Sequence, residues 1–344
     1  MEPHEKDTDI RYRINGMLQL MYKINKNRYI KLISKIKNDS NMDITNRRNP
    51  QDGKMRFILE DIHYDLRISS IPLIFGEKIV IRIIYKDKTE FSLKNLYLSE
   101  KKVELIKRMI SLKTGLILIN GPTGSGKSTS LAAILKELDG KNVNITTIED
   151  PVEIIMPHVN QMNLNEKIGI TFESGLRSIL RQDPDIIMVG EIRDKKTAEM
   201  AIRSSITGHK VLSTIHTSDA KEVFERLSNM GIDRYLIDEC ISGIISQRLI
   251  RILCDECKEI DKEHSKENCI VYKKKGCSKC NYSGYGSRRL ISSVYLFKGK
   301  DSLKSTDIDK ISNKDMIYDL DNLLKKGMIG HMDYMDFIKG EGIL

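Results

Sequence analysis

No run of apolar residues in this 344-residue chain approaches the ~18 that cross a bilayer as a helix, and the opening residues, Met1-Glu-Pro-His-Glu-Lys-Asp7, lack the apolar centre of a secretory signal. Membrane-spanning and exported classes are set aside, and a cytosolic protein is expected. Internal repeats and low-complexity segments are missing too, so ordinary folded domains carry the length. Lysine and arginine outnumber aspartate and glutamate, 57 to 48, for a net charge of +9. Yet no basic tract is massed, and no groove-like interleaving of basic and aromatic residues occurs. The excess reads as solvated surface, and no nucleic acid is expected. A 40% apolar share supports a real core, and the length allows two or three domains.

Up to about residue 85 the pattern is mixed. Leu32, Ile33 and Ile36 share a helical face, and short strand-like runs follow at 56–59, 64–68 and 79–84. Pro50-Gln-Asp-Gly53 reads as a turn before a strand, and Ile71-Pro-Leu-Ile-Phe-Gly76 as punctuation between two others. A small α+β domain is expected over 1–86, then a linker over 87–98, with Lys86-Asp-Lys-Thr-Glu90 the strongest linker signal.

From 99 onward helix and strand alternate: helix 100–111, strand 116–120, helix 127–138, strand 144–148, helix 172–182, strand 186–189, helix 195–206, strand 210–215. Such alternation predicts an α/β fold with a parallel sheet covered on both faces, placed over 99–250. Residues 219–229 and 233–248 also read as helices. A cysteine-bearing element follows over 251–290, then a charged helical region over 291–344 with helices near 314–326 and 331–338.

Gly121-Pro-Thr-Gly-Ser-Gly-Lys-Ser128 fills the phosphate-loop pattern G-x-x-x-x-G-K-S/T, directly after the apolar run Leu116 to Ile119 and before a helix carrying Leu131, Ile134, Leu135 and Leu138. Glycines at 121, 124 and 126 open backbone conformations in which successive N–H groups converge on a phosphate chain. The nucleotide contacts are therefore Gly121, Pro122, Thr123, Gly124, Ser125, Gly126, Lys127, Ser128 and Thr129, with Lys127 on the terminal phosphates and Ser128 on Mg²⁺.

Two apolar strands end in acids: Thr147-Ile-Glu149-Asp150-Pro-Val-Glu153, and Asp183-Pro-Asp-Ile-Ile-Met-Val-Gly-Glu191-Ile-Arg-Asp194, where Glu191 is the metal-side candidate. His209 and His216 stand at the two ends of the strand between them. His216, at the C-terminal end, can face the crevice where open α/β sheets bind ligands. His209 reads equally well as structural.

Six cysteines occur, four of them as Cys254-x-x-Cys257 and Cys277-x-x-Cys280 with nineteen residues between the pairs. In a reducing compartment that spacing points to a closed tetrahedral Zn²⁺ site and away from disulfides or redox chemistry. Cys240 and Cys269 read as unliganded.

In this order, the pieces resemble the secretion ATPases that assemble type IV pili and type II secretion pseudopili, a family of hexameric RecA-like motors. The likeness covers almost the whole chain. The family's boxes appear as Gly121 to Ser128 (Walker A), Glu149 to Glu153 (aspartate box), Gly190 to Asp194 (an atypical Walker B) and Gly208 to Thr217 (histidine box). Arg11-Tyr-Arg13-Ile-Asn-Gly16, Asp65-Leu-Arg67-Ile-Ser69 and the stretch through Gly76, Glu77 and Arg82 are similar to the family's PAS-like N-terminal domain. Met1-Glu2-Pro3 begins inside a block of that domain, which implies a domain short of its first strand.

The resemblance implies Glu153 as the water-activating carboxylate, Glu191 on the metal side, His216 near the γ-phosphate, and Arg67 and Arg82 reaching the nucleotide from the N-terminal domain. It further implies ATP, Mg²⁺ and Zn²⁺ as cofactors and a homohexamer acting on an inner-membrane platform protein, held at the cytoplasmic face only through its partners. The tetracysteine element implies the assembly branch and not the retraction branch. Type IV pilus assembly is therefore the leading expectation, with type II secretion or competence as the alternative and a binding subunit without turnover as the reading from another class.

Overall fold

The structure, a computed structural model, describes residues 1–60, 62–85, 91–139, 142–265, 270–297 and 314–340. It divides into two units, Met1–Thr89 and Glu90–Leu344. The linker signal at 86–90 and Cys269 lie outside the described residues.

The first unit holds an antiparallel sheet of β1 (Glu2–Pro3), β2 (Asp7–Ile14) and β3 (Met17–Asn25), a helix α1 (Lys26–Asp39), and a second antiparallel sheet of β4 (Gln51–Leu59), β5 (Ile62–Leu73) and β6 (Gly76–Tyr85). Asn15 and Gly16 join β2 to β3 with φ of 50° and 82°, the pair of positive values that a two-residue hairpin turn of right-handed twist demands. The α1 residues Tyr29, Ile33 and Ile36 pack on Met42, Ile68 and Ile79 to form the core. Lys37 is fully buried in an ion pair with Glu77, whose carboxylate also accepts from Ser70 Oγ at 3.1 Å.

The three predicted runs are parts of longer strands, 56–59 being the end of β4, and the expected turn at 50–53 is not one: Gln51, Asp52 and Gly53 pair with Ser70, Ser69 and Ile68 inside the sheet. Gly53 serves a close approach there, since a Cβ would stand 2.6 Å from the Ser40 carbonyl oxygen.

The second unit contains α2 (Glu100–Ser111), β7 (Gly115–Asn120), α3 (Lys127–Leu138), β8 (Ile145–Glu149), β9 (Asn160–Asn163), α4 (Phe172–Ile179), β10 (Ile186–Val189), α5 (Lys195–Ile206), β11 (Lys210–Ile215), α6 (Ala220–Asn229), α7 (Arg234–Cys240), β12 (Ile241–Leu253), the short pair β13 (Glu259–Ile260) and β14 (Tyr272–Lys273), β15 (Tyr285–Leu296), α8 (Lys314–Lys325) and α9 (His331–Gly340). Seven strands make the central sheet in the order β15-β12-β7-β11-β10-β8-β9. All neighbours are parallel except the edge strand β15, which runs against β12.

Both faces are covered. Leu116, Leu118, Ile187 and Val189 pack with α4, α5, α6 and α7, whereas Ile117, Ile119, Ile186 and Met188 pack with α2 and α3. The fold is thus α/β with a mostly parallel central sheet, as expected.

One helix is corrected. Of residues 233–248 only Arg234–Cys240 is helical, and β12 begins at Ile241. Its first eight residues are all buried, the polar Ser242, Ser246, Gln247 and Arg248 included, so the strand shows no inside-outside alternation and no two-residue period marks it as a strand. The limits set at 250 and 290 consequently fall inside β12 and β15, and residues 291–296 of the region expected to be helical are strand.

The last two helices pack on this edge, where Leu320, Leu323, Ile329 and Ile338 meet Ile252 and Ile291. Lys102 of α2, almost fully buried, donates to Ser292 O and Asp319 Oδ2, each at 2.5 Å, and ties α8 to β15. Among the described residues no helix is long and apolar enough to cross a membrane.

Candidate functional site

Strand β7 is buried along its whole length and delivers Asn120 to the C-terminal edge of the sheet, where the chain turns into α3. Gly121, Gly124 and Gly126 have φ of 150°, 79° and 91°. Each value is open to glycine and strained for other residues, which is why the loop takes this shape here. A Cβ on Gly124 would meet nothing within 4 Å, so the loop's outer side is open, with Pro122, Thr123, Ser128 and Thr129 exposed around it.

Lys127 folds back over the loop, its Nζ donating to Gly121 O at 2.7 Å and Pro122 O at 3.1 Å. Burial holds its ammonium below the usual lysine range, and the Glu191 carboxylate partly restores it. A helix N-terminus, a cation and an open glycine cradle together favour an anion of several charges.

The neighbouring strands deliver their ends to the same edge. Glu191 follows β10; one carboxylate oxygen pairs with the Arg193 guanidinium and the other lies 3.5 Å from His216 Nε2, directly after β11. Arg193 also stands 3.5 Å from Asp150, which follows β8. Lys127, Glu191, His216, Arg193 and Asp150 thus form one constellation at the C-terminal ends of parallel strands, the place where open α/β sheets bind ligands.

Glu149 is held differently. It accepts from Thr147 Oγ1 at 2.7 Å and Gln161 Nε2 at 3.1 Å, and burial, with some help from the charge of Glu153, raises its pKa. That makes Glu149 a tie between β8 and β9, while Glu153 sits in the loop beyond it. His209 is at the other end of β11, its Nδ1 3.1 Å from Ser204 O, where it closes the C-terminus of α5.

In the first unit Arg67 and Arg82 are direct cross-strand partners, and Lys54 is the partner of Arg67 on its other side. Three residues of the site receive no functional role from the sequence, although each lies in a stretch that carries the family resemblance. Arg193 had a signal, standing two residues after Glu191. Gln247 and Arg248 were hidden by the helical reading of 233–248; in β12 Gln247 Nε2 donates to Ser125 O at 2.8 Å, and Arg248, nearly buried, donates to Ser218 O just past His216.

Burial, then the Lys127 charge, lowers the pKa of His216 below 6.5. The unfolded chain therefore takes up this proton first, so the contribution of neutral His216 to stability is full above pH 6.5 and fades as pH falls through that value. Urea midpoints at pH 7.5 and 5.5 should differ less in His216→Asn than in the wild type; an unchanged difference would count against this.

The four paired cysteines form a second site. Their sulfur atoms all lie within 4.8 Å of one another, with Cys254–Cys277 at 4.0 Å and Cys257–Cys280 and Cys277–Cys280 at 3.8 Å. Four thiolates around one Zn²⁺ at the usual bond length would stand ~3.8 Å apart, so the donor set fits the metal. Gly276 N–H donates to Cys257 Sγ at 3.3 Å and Gly284 N–H to Cys280 Sγ at 3.2 Å, bonds that orient and stabilise thiolates. Cys240 is separate, buried in the main core with its thiol donating to Ile237 O.

A strand, a glycine loop and a helix at the C-terminal edge of a mostly parallel sheet define a phosphate-loop α/β protein. More narrowly, a family model for type II/IV secretion system proteins matches residues 1–330, and the chain belongs to that family. It is 40% identical over 306 residues to the type II secretion system ATPase E of Vibrio cholerae, covering 86% of this chain and 61% of the relative. It is 36% identical over 326 residues to the type II secretion system protein E of Pseudomonas aeruginosa, covering 92% and 64%. The chain therefore spans about three fifths of the length of these relatives.

Among solved structures it is similar to the pilus retraction motor PilT with bound ADP, with a TM-score of 0.62 at 25% identity over 96% of this chain and 92% of that one. The Legionella pneumophila ATPase DotB shares the fold, with a TM-score of 0.71 at 22% identity over 98% of this chain and 92% of that one.

Proposed function

We propose that the chain hydrolyses ATP to ADP and phosphate as the motor subunit of a type II secretion machine. The observation that carries this is the convergence of Lys127, Glu191 and His216 on the mouth of the 121–128 loop.

In this reading the loop N–H groups and the start of α3 receive the phosphates, and Lys127 gives up its bonds to the loop carbonyls for terminal phosphate oxygens. Ser128 and Glu191 would hold Mg²⁺, which when bound offsets charge on the bridging and terminal oxygens. Glu153 takes a proton from the attacking water, and His216, neutral at pH 7, donates to a γ-phosphate oxygen. Arg67 and Arg82 neutralise the charge that develops at transfer. Loss of these γ-phosphate contacts on hydrolysis would let the two units change their angle, and a ring of six copies would turn that change into thrust on a membrane platform protein.

The relatives' names favour secretion over the pilus assembly first expected from the tetracysteine element. In the same proposal the first unit is the PAS-like domain, the sheet-bearing unit the RecA-like one, and the protein works in the cytoplasm at the membrane face. Loss of a secreted protein from the medium on deletion, with pili intact, supports the secretion reading; loss of pili alone reverses it. Steady-state phosphate release by the purified chain with Mg²⁺ and ATP tests the activity itself. Tight ATP binding with no release, in the oligomer and with platform protein and lipid present, would leave a binding subunit instead.

The cysteine cluster is proposed to hold structural zinc, since four thiolates leave no position open for a substrate. About one Zn²⁺ per chain is expected by elemental analysis of protein purified without chelator, and Cys254→Ser should lose it. A stoichiometry near zero in the wild type would remove the site.

A further inference from the structure

One residue of β12 bears on the phosphate loop along most of its length. Strand β12 runs parallel to β7 with Ser246 in register opposite Asn120, the last residue of β7. Gln247 is therefore the first residue of β12 past that end, and it lies against the loop. A Cβ on Gly121 would fall on the Gln247 carbonyl oxygen, so the loop's entry is packed against the backbone of this residue. Its side-chain Nε2 donates to Ser125 O at 2.8 Å. A Cβ on Gly126 would stand 3.4 Å from the same nitrogen. Entry, middle and exit of the loop thus all bear on Gln247, which is itself fully buried.

The side chain is a costly choice for mere filling. Its Oε1 is buried and has no hydrogen-bond partner among the described residues. A methionine or leucine would occupy a similar volume without leaving an oxygen unpaired away from water. What the amide adds is the Nε2 bond. In a trans peptide the C=O and the following N–H point in opposite directions, so holding the Ser125 carbonyl toward β12 turns the Gly126 N–H away from it. Successive N–H groups held in this way make an anion-binding concavity.

We propose that Gln247 is a positioning residue for the bound triphosphate: by fixing the Ser125 peptide it keeps the 121–128 loop in its anion-cradling shape before any ligand arrives. The proposal rests on the reading of that loop as a nucleotide-phosphate site. It predicts a role in binding shared by ground state and transition state, hence a rise in KM with kcat largely kept.

The test uses the purified full chain, titrated calorimetrically with ATP and with pyrophosphate, alongside steady-state kinetics and ligand-free melting. Gln247→Met, similar in volume and neutral, and Gln247→Ala are compared with the wild type. Both are expected to weaken ATP and pyrophosphate binding about tenfold and to raise KM to match, since one buried hydrogen bond to the loop is lost. The kcat and the ligand-free melting temperature of the methionine variant should stay near wild type. Wild-type affinity for both ligands in Gln247→Met overturns the proposal alone, as does a loss confined to kcat. A wild-type chain that binds neither ATP nor pyrophosphate overturns the phosphate-loop reading itself, and this proposal with it.

Discussion

Replacing Glu153 by glutamine is expected to leave ATP binding intact and to cut steady-state phosphate release by about 10²–10⁴-fold, the range that general-base assistance contributes. Two carboxylates stand four positions apart in the same box. Glu149 is occupied, with two side-chain donors on its oxygen and a raised pKa from burial, so it holds β8 to β9. Glu153 lies farther along the same loop, past the end of β8; the adjacent β10 leads to Glu191, and β11 beyond it leads to His216. Glutamine keeps the shape and hydrogen-bonding reach of the side chain but cannot accept a proton from water at neutral pH. Binding measured by titration must therefore survive while turnover falls. Equal phosphate release from the two proteins would remove Glu153 as the base. A parallel Glu149→Gln variant should act on stability first, because its effect runs through the β8–β9 tie.

Most of the second unit was legible because several kinds of signal agreed in the same places. Helices α3 and α5 and strands β10 and β11 lie where apolar spacing placed them. Asp194 and Asp219 cap their helices as short acids before an apolar face should, accepting from Thr197 N at 2.9 Å and Glu222 N at 2.7 Å. The phosphate loop is local: strand, glycines and helix are contiguous, so one stretch of sequence contains its whole geometry.

What escaped is non-local. Strand β12 lies between β7 and β15, covered on both faces, and burial on two sides erases the alternation by which a strand announces itself. With β12 read as helix, Gln247 and Arg248 had no reason to be near residues about 120 positions earlier, and the support beneath the loop stayed invisible. In the first unit Gly53 carried a turn signal because glycine is ambiguous from sequence; only the Ser40 carbonyl beside it reveals a packing role.

Arg67→Ala is expected to lower turnover by about 10³-fold, the scale of a cation that neutralises charge formed at phosphoryl transfer, with Arg82→Ala of similar size. Sheet register supplies an argument that composition could not. Lys54, Arg67 and Arg82 are consecutive cross-strand partners, so three cations stand side by side on one face of β4, β5 and β6. A row of cations at this register presents a positive stripe to which a polyanion is attracted. The next row on the face sets Arg56 opposite Asp65, their side chains 3.3 Å apart. Arg56→Ala is the control: it removes a cation of the same sheet face that is paired with Asp65, and it should leave turnover unchanged. If Arg67 works on the nucleotide, its alanine variant should lose kcat far more than nucleotide affinity. Equal, modest losses in the Arg56 and Arg67 variants would instead make the arginines ordinary solvated charge.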